Sequence, residues 1–548
     1  MIRSNYRAAL LGVAVIAAPL HAQGGAEIEQ VVERVAARRI PPGGPGCTIG
    51  ASRSGATVSA AFGFADLERR MPLTPTSILE AGSVSKQFTA GAVVLLALDG
   101  KLSLDDDIRR YFPELPAYEH VITIRHLLTH TSGLRDWGAI ASLEGWPRGT
   151  RAYTNAHVLE IAARQRALNH APGSAYSYTN TGYNLLALLV ARVSGQSFAD
   201  FTRDRLFLPL GMSNTSWRDD HTRLVQGRAL AYASAGNGFA TAMPNENAHG
   251  NGGLLTTVRD LLVWNDAMDR AALGKPFADT IVKRYVLTNT RTINYALGIN
   301  VVRTRGTLEI NHSGSTGGYR AQLVRFPDAR VSVAVLCNGA SLNAGAIAYD
   351  IADALLPART GQGVTNGLAR RPFADTLRVE RFAGVWVHNT RRTPLRLTVV
   401  GSALRRGETT LTPIDANRFA DATGQLAFSD DRNGMPTRMV VISRSGDSTS
   451  YFRSQDWRPS ASDLRAFTGT FASGEVHGEP FRLAIEGEQL VLRQSPTTRI
   501  SLTPIYTDAF QAGGRIIWFT RDASGRATTM FVGQQRAWAV AFQRSADS

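Results

Sequence analysis

The sequence predicts an α/β domain, built as an antiparallel sheet with a helical region, followed by two small antiparallel β-barrel-like domains. Three observations carry this. From about Ala26 to Leu356 strand-like and helix-like text alternates, with strands at both ends and helices between. Beyond that, helical text almost vanishes. The remaining text also repeats itself at one offset, pairing Phe419 with Phe510, Phe428 with Phe519, Gly434 with Gly525 and Met439 with Met530. With 548 residues the chain exceeds what one hydrophobic core serves.

Taken in order, the chain opens on Arg3, Arg7 and the apolar run "AALLGVAVIAAPL", too short to cross a bilayer and closed by the small residue Ala22. This reads as an export signal over residues 1–22, and a periplasmic or secreted protein is expected. No span is long enough for an integral membrane segment. "CTIGASRSGATVSAAFGFAD" has the strand–turn–strand pattern of a hairpin. "NTGYNLLALLVARVSG" repeats its apolar residues at three and four, as a helix does. Thr257 and Asp260 stand at capping-box spacing after a glycine-rich turn. "INHSGSTGGYRAQLVRFPDARVSVAVLCNGA" reads as three strands cut by Gly and Pro-Asp turns, whose sheet is expected to join the two ends of a domain over 26–356. "LLPARTGQGVTNGLARRPFAD" breaks periodicity, and 357–377 reads as a linker. The short alternating strands that follow favour small barrels over 378–456 and 461–545. Two copies are too few for a solenoid.

The formal charge of +15 permits anionic partners. The arginines are scattered with no dense basic run, so nucleic acid is not an expected partner. The two cysteines, Cys47 and Cys337, lie in apolar strand-like text. Export would permit them to pair, and two buried free thiols fit the text equally well.

The chemistry starts at "EAGSVSKQFTAGAVVLLALDG", Glu80 to Gly100. Lysine is scarce: Lys86, Lys101, Lys275 and Lys283 stand against 56 arginines. Phe88, Ala92, Val93, Leu95 and Leu96 define a buried helix that Gly100 stops. Ser83 and Lys86 lie one turn apart on the same face. A serine hydroxyl is a weak nucleophile until a base takes its proton. Burial can tune a lysine amine to neutrality, which arginine does not allow. Such pairs also occur by chance in many helices, so this one needs companions. One is "PGSAYSYTNTGYNLL", where Tyr178 could relay the serine's proton and Asn180 could orient a substrate. The other is "INHSGSTGGYR", where Gly314 would leave room for substrate along a strand edge and the Ser315 amide could join that of Ser83 in an oxyanion hole.

In this order the three elements resemble the serine β-lactamase and penicillin-binding-protein superfamily. Tyr-x-Asn in the middle is similar to its class C-type branch, with family VIII esterases, D-aminopeptidases and D-Ala-D-Ala carboxypeptidase-like hydrolases. "LLTHTSGL", "FLPLGM" and "GNGGLLTTVRDL" match as well. The third motif is His312-x-Gly314 instead of Lys-Thr-Gly, which moves the expectation from β-lactamase proper toward esterase or peptidase. The resemblance implies acyl transfer: Ser83 attacks, Lys86 and Tyr178 move the proton, Ser83 and Ser315 amides hold the oxyanion, and Asn180 and His312 position substrate. It implies an ester, amide or peptide substrate, with cell-wall peptides a further candidate. A non-catalytic penicillin-binding or scaffold protein is the alternative of a different class.

No cofactor is expected and no metal site. His126 and His130 are four apart, yet no Glu follows His126. A G-x-S-x-G nucleophile elbow is missing from the text. Trp386, Trp457, Trp518 and Trp538 are expected in barrel cores.

Overall fold

The computed structural model describes residues 20–304, 306–357, 378–443, 448–495 and 498–545. The expected export signal up to residue 19, and the expected linker from residue 358, lie outside the described residues.

The strand Val331–Cys337 is buried along its whole length, which a strand covered on both faces requires. Its period of two sorts the side chains. Val331, Val333, Val335 and Cys337 join a core with Ile28, Val32, Ile347 and Ile351 from the helices Leu20–Arg39 and Ala344–Leu355. Ala334 and Leu336 face the opposite core, with Phe88 from the helix Lys86–Leu98 and Leu261 from the helix Val258–Asp269. This strand sits inside a six-stranded antiparallel sheet with Tyr319–Phe326, Thr307–Thr316 and Asn300–Thr304 on one side and Cys47–Arg53 then Ala56–Phe62 on the other. The two ends of the domain therefore meet as neighbouring strands. Cys47 lies directly opposite Cys337 in the register, and the two form a disulfide, which settles the cysteine alternatives.

Helices fill the long excursion between the second and third strands in sequence. Asn180–Ser194 starts on the Thr179 cap and stops at Gly195, whose positive φ of 72° suits glycine. The Thr257 side chain does accept from the Asp260 amide at 3.2 Å. The reciprocal half of the expected capping box is absent, because the Asp260 carboxylate turns to the Asn214 amide at 2.9 Å and the Thr215 hydroxyl at 2.8 Å.

The C-terminal half forms two barrel-like sheets. The first is a nine-stranded antiparallel sheet whose edge strands are Thr409–Thr410 and Thr412–Asp415, so it nearly closes. The second is a closed barrel of eight strands, sealed where Phe471 pairs with Arg544. The repeat seen in the text is a repeat of register. Phe428 faces Met439 in one sheet and Phe519 faces Met530 in the other. Gly434 and Gly525 turn the corresponding hairpins with φ of 79° and 83°. Of the tryptophans expected in the cores, Trp386 is fully buried, whereas Trp538 lies at the junction of the lobes with Arg391 4.6 Å above its ring.

Candidate functional site

Ser83 and Lys86 are close, as expected, though not on one α-helix. Ser83 sits on a 3-10 turn, Gly82–Ser85, and Lys86 opens the helix Lys86–Leu98. The tighter turn brings residues three apart almost into eclipse, which aims the amine at the hydroxyl. Lys86 Nζ is fully buried and lies 3.1 Å from Ser83 Oγ, 3.0 Å from Asn180 Oδ1 and 2.6 Å from the Asn251 carbonyl oxygen. Burial, then the positive charges of Arg536 and Arg148, hold its pKa well below that of a free lysine. The rings of Tyr178 and Tyr183 close over it at 4.9 and 5.5 Å.

Tyr178 reaches the same cluster. Burial pushes its phenol up to about 12, and interaction with Ser83 draws it back down. A phenolate is therefore costly here, and the phenol is suited to donating a proton more than to taking one. Beneath it His130 packs 4.2 Å from the Tyr178 ring and accepts from the Thr179 amide at 3.3 Å. His126 is engaged elsewhere, on the Thr123 amide at 3.2 Å and the Tyr285 hydroxyl at 3.0 Å. Among the described residues no group of His, Cys, Asp or Glu converges as metal ligands would.

Asn180 is the first residue of its helix, and its amide donates to Asp136 Oδ2 at 2.7 Å. His312 lies farther back, its ring 6.4 Å from that of Tyr178. Burial, then Lys86, lower its pKa to about 4, so it is neutral. Its Nδ1 meets the Ser313 carbonyl oxygen at 2.6 Å, which can only accept, so the proton is on Nδ1. Nε2 then accepts from the Tyr295 hydroxyl at 3.0 Å. His312 is thus a fixed wall of the site, tied by a tyrosine the sequence reading did not single out.

The strand bearing Gly314 and Ser315 abuts the Ser83 turn. A methyl group on Gly82 would stand 2.6 Å from the Ser315 nitrogen, and one on Gly314 would stand 2.0 Å from the Ala81 carbonyl oxygen. The space left by the missing side chain of Gly314 is taken by the chain leading into Ser83, and what glycine permits is that close approach. Ser83, Tyr178, Asn180, His312, Gly314 and Ser315 all line one cleft of about 750 Å³.

Three further groups escaped the sequence reading. Asn251 holds Lys86 through its backbone, and its side-chain oxygen accepts from Asn184 at 2.8 Å. Asp136 caps the helix Trp137–Leu143 and also receives Asn180. Arg536 comes from the hairpin after Ala527–Gln534 in the closed barrel. Its guanidinium lies 4.8 Å from the Tyr178 ring centre and 3.9 Å from Asp136 Oδ2. The "GNGG" text was visible, whereas a lone arginine in a barrel hairpin carries no local signal.

Replacing Gly314 with Ala is expected to destabilise the protein by about 1–3 kcal/mol through overpacking against the Ala81 backbone. Chemical denaturation checks this, and an unchanged midpoint would show that the strand can draw back.

The β-lactamase family model matches residues 30–358. A D-aminopeptidase of Cereibacter sphaeroides (strain KD131) is 28% identical over 424 residues, covering 74% of this chain and 75% of the relative. A D-aminopeptidase of Brucella anthropi is 26% identical over 529 residues, covering 91% and 95%. Among solved structures, the octameric penicillin-binding protein homologue from Pyrococcus abyssi aligns with a TM-score of 0.53 at 22% identity, covering 78% of this chain and 99% of that one. The arrangement around Ser83 and the match over most of the sheet-bearing domain lead to one conclusion: the chain belongs to the β-lactamase family and is one of its serine hydrolases.

Proposed function

We propose that this protein is exported and cleaves an ester or amide bond through an acyl-enzyme on Ser83, in the manner of an esterase or a D-amino-acid peptidase or carboxypeptidase. The observation that carries the mechanism is the set of three oxygens around Lys86 Nζ. Asn180 Oδ1 and the Asn251 carbonyl can only accept hydrogen bonds. A neutral amine has two N–H bonds and one lone pair. With both N–H bonds committed to those oxygens, the lone pair faces the Ser83 hydroxyl at 3.1 Å and can take its proton.

Attack by Ser83 Oγ forms the bond to the carbonyl carbon while its proton passes to Lys86. The Ser83 and Ser315 amides are the donors assigned to the oxyanion, and the close approach of their segments at Gly82 supports this. The Tyr178 phenol, kept protonated by burial, supplies a proton to the departing alcohol or amine and is restored from Lys86. Water then enters with the same groups reversed and frees the acyl product. His312 in place of a lysine leaves β-lactamase proper as the second reading, and the names of the D-aminopeptidase relatives favour an amide or peptide substrate. Export is supported by the leader-like text and by a disulfide, which persists in oxidising compartments.

A fluorophosphonate or penicillin probe is expected to label Ser83, with the adduct seen by intact-protein mass spectrometry and lost in Ser83→Ala. Turnover retained by a folded Ser83→Ala protein would overturn the mechanism.

Arg536→Ala removes a positive charge that depresses Lys86, so the Lys86 pKa rises. Because the neutral amine is the active form, the acidic limb of the kcat/KM profile should move to higher pH. A limb that stays in place or moves to lower pH means another group controls it.

For export, N-terminal sequencing of the secreted or periplasmic protein should begin at Gln23. Intact chain confined to the cytoplasm would refute this part.

A further inference from the structure

A second cavity of about 590 Å³ adjoins the reaction cleft, and Tyr176, Tyr295 and Asn300 line both. Three lobes build it. His170 comes from the catalytic domain, His388 and Arg391 from the first barrel-like sheet, and Trp538 from the closed barrel. The turn that carries Arg391 is fastened at two points. The amides of Thr390 and Arg391 both donate to His388 Nδ1 at 3.2 Å, and the Tyr506 hydroxyl of the closed barrel donates to the Arg392 carbonyl at 2.9 Å.

Arg391 is thereby held half-buried over the Trp538 ring. Its Nε is buried without a hydrogen-bond partner, and among the described residues no carboxylate lines the cavity or pairs with this guanidinium. His388, whose Nδ1 is already an acceptor, presents an N–H at Nε2. A half-buried cation with no counter-ion among the described residues favours a ligand that supplies the opposite charge. The reaction cleft has the same bias. Arg148, Arg320 and Arg536 line it and, among the described residues, no carboxylate does. Arg148 is paired with Glu246 and Arg536 lies 3.9 Å from Asp136. Among the described residues the partners of the Arg320 guanidinium are instead the carbonyls of Gly317 and Tyr319, at 2.9 and 2.7 Å. The cleft alone is large enough for a drug-sized ligand, so the adjoining cavity offers room for a substrate that extends beyond the scissile bond.

We propose that this second cavity is a distal subsite for an extended substrate, and that Arg391 receives a carboxylate carried by that substrate away from the bond Ser83 cleaves. The inference rests on the proposed hydrolytic function. It makes Arg391 a specificity residue: it selects chains that end in an anion and gives nothing to uncharged ones. A free ammonium reaching the same place would meet arginine and histidine instead of a counter-ion.

The test compares mono-p-nitrophenyl esters of dicarboxylic acids, from glutarate to sebacate, with uncharged p-nitrophenyl esters of equal length. The wild-type protein should prefer the carboxylate-ended ester in kcat/KM at one chain length. Arg391→Gln should lower that preference ratio about tenfold, the scale of one charge-assisted hydrogen bond. No preference at any length in the wild type, or a uniform loss that leaves the ratio unchanged in Arg391→Gln, overturns the subsite. Calorimetry in the Ser83→Ala background separates this from the hydrolytic reading. The carboxylate-ended ester should bind there without turnover, about tenfold more weakly when Arg391→Gln is added, and equal affinity overturns the subsite whatever the fate of the ester.

Discussion

A buried amine caged by three oxygens and two aromatic rings is the constraint on which the rest of this structure depends. Lys86 is enclosed by its own helix, by Asn180 and by the loop at Asn251, and that burial holds its pKa well below that of a free lysine. The same burial that destabilises an ammonium makes it easier to free a lone pair beside Ser83. The surrounding arginines reinforce it, because each positive charge nearby makes protonation of Lys86 less favourable. Cost to the fold and readiness for chemistry are two readings of one desolvation.

The cage is assembled from separated segments by close backbone contacts. Gly82 and Gly314 allow the nucleophile turn and the sheet edge to meet without side chains between them. Ser85 ties the far side of the turn, accepting from the Leu254 amide at 3.1 Å, so the loop bearing Asn251 is anchored next to the residue it serves. Asn184 completes that loop's support through Asn155 at 2.9 Å and the His249 carbonyl at 3.0 Å.

Docking of the closed barrel belongs to the site as well. Asp136 links the two: its amide donates to the Arg536 carbonyl at 3.0 Å while its carboxylate receives the amide of Asn180 at 2.7 Å. Asn169 grips the same hairpin, donating to the Arg536 carbonyl at 3.1 Å and accepting from the Trp538 amide at 2.7 Å. A cation from the end of the chain is in this way fixed above the phenol of Tyr178. The C-terminal lobes therefore shape the electrostatics around Lys86 and Ser83, which lie far away in sequence.

How much of this was legible follows from the range of each interaction. Alternation and periodicity report which face of a local segment is buried, so the terminal strands, the helix after Thr179 and the twin register of the barrels could be read directly. Ser83 and Lys86 were legible because one turn joins them, and Tyr178 and Asn180 because they share a second short motif. Ring contacts, by contrast, are not written locally: nothing near His312 announces Tyr295, and nothing in a barrel hairpin announces that Arg536 will lie over the Tyr178 ring. The text by itself determined many of the secondary elements and the short motifs that carry Ser83, Lys86, Tyr178 and Asn180, because those depend on residues a few positions apart. Only the tertiary structure decided that the two cysteines join, that Gly314 admits a neighbouring chain, and that arginines from three lobes converge on the cleft and its annex. Charge and steric exclusion act through space, and the segments that exert them here lie hundreds of residues apart along the chain.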